Sequence, residues 1–331
     1  MLIFYWSQLS VPLDFSDTEE RLFLIKKGQS LFQIASALEN QDLIKCKFSF
    51  TFHVFLKGKQ DNLQAGEYSL SPSMSIADIS QKIISGDVAK ETITIPEGWN
   101  LRDIAWYFEN KGMFQAEELF ELVGFPLIDY SKSTDLPRPK DFSSDYDFLI
   151  DKPNILNLEG YLFPDTYEIN RGDSLEEIVR KMLDNFGEKL TQELRDEISN
   201  QGKTIFEIIT MASLLEKEVR ILEDKKIVAG VLWKRLKNNI PLQVDATIIY
   251  ITGKKTTQVL IEETKIDSSY NTYKYRGLPL GPISNPGLES ILASIYPESS
   301  DYWYYLSTLK GETIFSKTLQ EHNIAKAKYL K

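Results

Sequence analysis

Two carboxylates, Glu216 and Glu218, stand in a stretch of mostly apolar residues, Thr204–Leu222 (TIFEIITMASLLEKEVRIL). A carboxyl group with apolar neighbours is pushed toward its neutral form, and a neutral carboxyl near neutral pH can donate a proton to a glycosidic oxygen. The element that must position them is legible in the spacing. Ile205, Ile208, Ile209, Ala212, Leu215, Val219 and Leu222 recur at helical intervals and predict a helix with a wide buried stripe. Residues two apart point about 200° away from each other on such a helix, so the two carboxylates cannot serve one substrate atom together. Glu216 falls inside the stripe, between Ala212 and Val219. Glu218 falls at its edge, beside Met211, Leu214 and Leu222, where a helix borders a cleft. The alternative is a pair of solvated or salt-bridged helix glutamates.

Other chemistries have less to work with. His53 and His322 are far apart and flank no HExxH pattern, which argues against a zinc site or a charge-relay triad. Cys46 is the one cysteine, so no intrachain disulfide and no CxxC site exists. A net charge of −10 and a pI near 5.0 argue against nucleic acid as partner. With 42% apolar and 26% charged residues the chain is globular in composition, and its 331 residues suit two or three domains. Catalysis would rest on carboxylates, with no metal and no cofactor.

Three further stretches carry the residue types that hold sugars. EGYLFPDTYEI (159–169) brings Glu159 and Tyr161; PLQVDATIIY (241–250) places Gln243 and Asp245 on one side of an extended segment; SSYNTYKYRGLPLGPISNPGLES (268–290) supplies Tyr270, Asn271 and Tyr273 ahead of a Gly/Pro run. Aromatic faces stack on the C–H faces of sugar rings, amides and carboxylates bind their hydroxyl and acetamido groups, and Gly and Pro fix a tight loop. Each stretch alone reads as structural; together they suggest a carbohydrate groove. Residues 126–157, rich in Pro, Ser, Asp and Lys, read as a surface loop or lid. Periodicity predicts one long helix or a helix pair over Ser174–Asn200 and another helix over Asp224–Asn238.

An internal repeat organises the N-terminal half. At a constant offset of 70, Ile25, Gly28, Leu31, Ile34, Ala35, Glu39 and Asn40 meet Ile95, Gly98, Leu101, Ile104, Ala105, Glu109 and Asn110. Each copy predicts a short strand, a turn at Gly, a cap at Ser30 or Asn100, and an amphipathic helix. A weaker third copy spans Tyr68–Gly86. Such β-turn-α units resemble LysM-type glycan-binding modules; a repeat that only packs is the alternative. The N-terminal MLIFYW is apolar but far shorter than the ~20 residues that span a bilayer. It is either the outer end of a membrane anchor or a short apolar arm.

In their order, EGYLFPDTY, MASLLEKEV, VAGVLWKRLKNNIPLQVDATIIY and YNTYKYRGLPLGPISNPG resemble the signature segments of the MltG (YceG-like) family of endolytic murein lytic transglycosylases, with the likeness running over roughly residues 20–331. The resemblance implies an α+β fold, with a small LysM-like β/α subdomain followed by a larger mixed α+β lytic transglycosylase domain. The boundaries expected are a membrane-proximal arm over 1–20, the LysM-like domain over 21–90 and the catalytic domain over 91–331. It implies cleavage between N-acetylmuramic acid and N-acetylglucosamine with formation of 1,6-anhydro ends. Glu218 carries the acid/base role, with Glu216 as fallback. Glu159, Tyr161, Gln243, Asp245, Tyr270, Asn271 and Tyr273 are the residues expected to bind substrate. By resemblance the partners are peptidoglycan strands and peptidoglycan synthases. The location is a single-pass protein of the inner membrane with its catalytic domain outside the cytoplasm, the anchor being incomplete in this sequence. Two rivals stay open: a hydrolytic muramidase with Asp245 or Glu159 as a second carboxylate, and a non-catalytic glycan-binding scaffold.

Overall fold

The computed structural model describes residues 11–329 apart from 134, 255, 257, 309 and 310. The first ten residues of the expected N-terminal arm lie outside the described residues. The chain divides into two units, one running to Ile93 and adding Tyr167–Ser174, the other made of Thr94–Thr166 and Leu175–Lys331. The first unit also takes back a distant strand, because β3 (Lys90–Thr94) pairs with β4 (Thr166–Asn170).

The first unit contains β1 (Arg21–Ile25), α1 (Leu31–Asn40), α2 (Lys47–Leu56), β2 (Gly66–Leu70) and α3 (Ile76–Ser85). β1 runs antiparallel to β2, from Arg21 opposite Leu70 to Ile25 opposite Gly66. Phe23, Ile25, Ile34, Leu38, Phe50, Val54, Tyr68 and Ile79 fill one core between this ribbon and the helices.

Both strong copies of the repeat adopt the expected strand-turn-helix order. Gly28 and Gly98 sit at φ of 86° and 77°, a left-handed turn that suits glycine. Ser30 and Asn100 then open α1 and α4 (Leu101–Asn110), each with a complete capping box closed by Gln33 or Asp103. Ile34 and Ile104, Ala35 and Ala105, and Leu38 and Phe108 are buried at equivalent positions. The third copy is likewise a strand, β2, then a capped helix, α3, ending at Gly86.

The second unit continues with α5 (Ala116–Val123), α6 (Leu175–Lys189), α7 (Gln192–Asn200), α8 (Ile205–Glu218), α9 (Leu222–Lys237), α10 (Asp245–Thr252), α11 (Leu288–Ile295), the antiparallel pair β5 (Tyr304–Ser307) and β6 (Thr313–Ser316), and α12 (Leu319–Tyr329). The whole is α+β, as expected. α8 is its central helix, with every residue from Ile208 to Leu215 buried. Its start is fixed twice: Thr204 and Glu207 form a capping box, and the Asp151 carboxylate accepts the N–H groups of Ile205 (2.6 Å) and Phe206 (3.2 Å).

Three expectations are corrected here. α8 ends at Glu218 rather than running to Leu222, because Val219 turns extended and buries its side chain in the core, leaving Leu222 to open α9. Asp245 does not continue the extended segment of Gln243; it is the first residue of α10. Residues 126–157 are not a free surface lid, since Tyr130, Phe142, Phe148, Leu149 and Leu156 are buried and the Phe148 ring lies 4.8 Å from that of Phe186 on α6. Among the described residues no helix is long and apolar enough to cross a membrane.

Candidate active site

Glu218 is the last residue of α8, half-buried, at the point where the chain leaves the core. Two elements, α10 and β5, surround its carboxyl group. The first turn of α10 presents the Ala246 N–H, 3.4 Å from Oε1. β5 brings the hydroxyl of Tyr305, which hydrogen-bonds the carboxyl group, while the neighbouring Ser307 hydroxyl donates to the Glu218 carbonyl at 2.9 Å. Asp245 supplies a second negative charge, its carboxylate accepting the hydroxyl of Tyr273.

These neighbours pull in opposite directions. Burial, and then the charge of Asp245, push the Glu218 pKa up to about 7, while the Ala246 amide and the Tyr305 hydroxyl favour the carboxylate. A carboxyl group poised near 7 can lose a proton and regain it at similar cost, as acid/base catalysis requires. Burial raises the Tyr305 hydroxyl well above its ordinary value, with the Glu218 charge adding to it, so Tyr305 stays a proton donor.

The approach to Glu218 is built from the LQVD and YNTY segments. Gln243 is exposed and held at φ 55°, an unusual conformation for a residue with a side chain. Its N–H donates to the Thr272 carbonyl at 3.0 Å, and its Oε1 accepts from Arg235 Nη2 at 2.9 Å. Arg235, on α9 and nearly buried, also donates to the Leu242 carbonyl at 3.1 Å and lies 5.5 Å from the centre of the Tyr304 ring. The Thr272 hydroxyl accepts the Val244 N–H at 3.0 Å and meets that of Thr247 at 3.1 Å. These bonds lock two loops together, so Gln243, Asp245 and Tyr273 share the surface beside Glu218.

The other carboxylate of the pair is engaged elsewhere. Glu216 Oε2 accepts from the Gly287 N–H (3.0 Å) and the Ser290 hydroxyl (2.6 Å) at the start of α11, and lies 3.5 Å from the buried ammonium of Lys225. The α11 N-terminus favours this negative charge. Glu97 packs beside it, its pKa raised by burial and then by Glu216. A Cβ on Gly287 would sit 2.0 Å from Glu97 Oε1, so the Glu97 side chain lies directly against this turn.

Four of the residues expected to bind substrate lie in the interior. Glu159 is wholly buried; it accepts the Leu101 N–H at the start of α4 (3.1 and 3.2 Å) and the Tyr250 hydroxyl (3.0 Å), while burial pushes its pKa up to about 8. Tyr161 is packed 5.3 Å from the Phe186 ring, and Tyr270 5.3 Å from that of Tyr250. The buried Asn271 side chain ties the carbonyls of Thr264 and Ile266 to the amides of Tyr273 and Lys274. EGYL therefore packs behind α8, with Gly160 against Ile209 and Pro282, and no part of it borders Glu218 in the interactions described. Sequence reasoning did not single out Tyr305 and Arg235. The aromatic run Tyr302–Tyr305 was the available signal for the first. Among the described residues no cluster of His, Cys, Asp and Glu suits a metal ion.

Comparison with known proteins fits this arrangement to a wider set. A profile of the YceG-like family matches residues 23–328. An endolytic murein transglycosylase of Bacillus subtilis strain 168 is 37% identical over 310 residues, covering 92% of this chain and 84% of that protein. One from Streptococcus pneumoniae D39 is 31% identical, and the match covers 95% of this chain but 59% of the relative's length. The crystal structure of a YceG-like protein from Listeria monocytogenes superposes with a TM-score of 0.61 at 33% identity, covering 93% of this chain and 99% of that one.

Proposed function

The chain belongs to the YceG-like family, and on that premise we propose that it is an endolytic murein lytic transglycosylase, a lyase that cuts peptidoglycan strands with Glu218 as its single acid/base. The observation that carries the assignment is a half-buried carboxyl group at the end of α8, beside solvent-exposed Gln243 and Asp245, with a pKa of about 7. Glu216, its sequence rival, is taken up by Lys225 and α11.

In this scheme neutral Glu218 protonates the glycosidic oxygen between N-acetylmuramic acid and N-acetylglucosamine as the bond to C1 breaks. The resulting carboxylate is held by the Ala246 amide and the Tyr305 hydroxyl. It then accepts the proton of the muramoyl 6-hydroxyl while that oxygen bonds to C1, closing the 1,6-anhydro ring and restoring neutral Glu218. No water is consumed. In this reading exposed Gln243 and Asp245 and partly exposed Tyr273 contact the sugar, whereas the buried Glu159, Tyr161, Tyr270 and Asn271 support the site from within.

The first unit is read as the LysM-like subdomain. A peptidoglycan substrate puts the enzyme outside the cytoplasm; attachment to the membrane and association with peptidoglycan synthases belong to the same proposal. The decisive experiment digests isolated sacculi with the purified chain and weighs the products. Anhydro-ended muropeptides are expected. Products one water heavier would make the enzyme a muramidase, and no products would leave a glycan-binding scaffold.

A further inference from the structure

α2 is apolar on both of its faces. Phe50 and Val54 fill the core of the first unit, as a surface helix requires. On the opposite side, where polar residues belong, Phe48, Phe52 and Phe55 form a stripe at i, i+4 and i+7 with 65%, 48% and 64% of their surfaces exposed. Leu56 at the end of the helix is 58% exposed, and Phe32 of α1 joins the patch with its ring 6.3 Å from that of Phe48. The three stripe rings, with Ser49 and Thr51, line an open hollow of about 540 Å³.

The charge around this stripe is as unusual as its hydrophobicity. Residues 43–60 contain Lys45, Lys47, Lys57 and Lys59 and no Asp or Glu, in a chain whose net charge is −10. Lys45, Lys57 and Lys59 are exposed at the two ends of α2. Lys47 lies over the rings of Phe32 and Phe48, at 5.3 and 5.7 Å, and 3.6 Å from Glu39.

We propose that this face of α2 docks on an anionic lipid surface. Phenylalanine rings on one side of a helix settle at the boundary between headgroups and acyl chains, and lysines at its ends extend to the headgroup phosphates. The basic stretch matches such a surface in charge, whereas the acidic remainder of the chain would be repelled by it. A second copy of the chain fits less well, because a symmetric contact through this stripe would bring the same lysines together. A glycan fits less well too, since the hollow offers two hydroxyls, Ser49 and Thr51, and no amide or carboxylate to bind sugar hydroxyls. This surface lies on the first unit and does not involve Glu218.

The test is co-sedimentation of the full chain with vesicles of phosphatidylcholine alone or mixed with phosphatidylglycerol, in which no peptidoglycan is present. Its failure would therefore leave the assignment of Glu218 untouched. The parent is expected to bind the phosphatidylglycerol vesicles preferentially and to lose binding as salt is raised. F48S/F52S/F55S is expected to weaken binding by roughly 100-fold. K45E/K57E/K59E is expected to abolish the preference for anionic vesicles. The single variant Phe52→Ser, with a smaller loss, serves should the triple variant fail to fold. No binding by the parent, equal binding to both vesicles, or undiminished binding by the Phe variants overturns the proposal. So does a Phe variant that keeps its vesicle binding but loses retention on chitin, or changes from dimer to monomer in sedimentation, since those results assign the face to a glycan or a second copy.

Discussion

Glu216 and Glu218 leave the same helical turn of α8 and enter two different environments. Toward α11, Glu216 meets a matched set: a helix N-terminus, a serine hydroxyl and a buried ammonium, which together hold it as part of the scaffold. Toward α10 and β5, Glu218 meets a mixed set, with burial and Asp245 opposing its charge and an amide and a tyrosine hydroxyl supporting it. The saturated side makes a pin; the unsaturated side makes a group that can exchange a proton. A rotation of 200° about one helix axis separates structure from chemistry.

The sharpest way to break the comparison is to exchange the two outcomes. Glu218→Gln preserves shape but cannot donate the proton, so anhydro-muropeptide release should fall on the order of a thousandfold with an unchanged melting temperature. Turnover close to the parent's would move the acid role elsewhere. Glu216→Ala should act on folding instead, leaving Lys225 buried without its partner at a cost of about 3–5 kcal/mol, read from the denaturant midpoint. Parent-like stability with lost turnover would reverse the roles assigned to the two glutamates.

Glu159 extends the contrast, as a carboxyl group shifted further still but wholly buried. Removing it by Glu159→Ala should destabilise the fold by about 2–4 kcal/mol, since Tyr250 and the start of α4 lose their acceptor. Its folded pKa of about 8 exceeds the ordinary 4.5, so the folded chain keeps a proton that the unfolded chain releases. The stability it adds is complete below about 4.5 and is lost as pH rises through about 8; melting temperatures across this window should fall in the parent and flatten in the variant.

The smallest effect concerns Asp245. Turnover needs neutral Glu218 and should decline above pH of about 7. Because Asp245 raises the Glu218 pKa, Asp245→Asn should move that decline to lower pH while turnover at the optimum stays within about tenfold of the parent. Complete loss with retained folding would favour a muramidase in which Asp245 takes the second role.

Much of the scaffold was legible because its signals are local. A capping box needs four residues and a left-handed turn needs one glycine, so the two β-turn-α copies at Gly28 and Gly98 follow from the text of the chain. The helix carrying Glu218 was legible by the same periodicity, though not its end, since Val219 stops α8 through core packing rather than through a stop signal. EGYLFPDTY misled for a related reason. Its tyrosine and glutamate are the residue types of a sugar groove, yet a glutamate wholly buried against α4 and Tyr250 has the same one-letter code as one that meets substrate.

By itself, the sequence determined the strand-turn-helix repeat with its caps at Ser30 and Asn100, the helix that carries the two glutamates, the class of chemistry and the pair of glutamates that had to be weighed. Only the tertiary structure decided between their surroundings. Tyr305 lies 87 residues from Glu218 and Asp245 lies 27 away, and nothing local couples such positions. The proton affinity of a carboxyl group is set by the dielectric and charges within a few ångströms of it, and those are known only once distant segments have packed together.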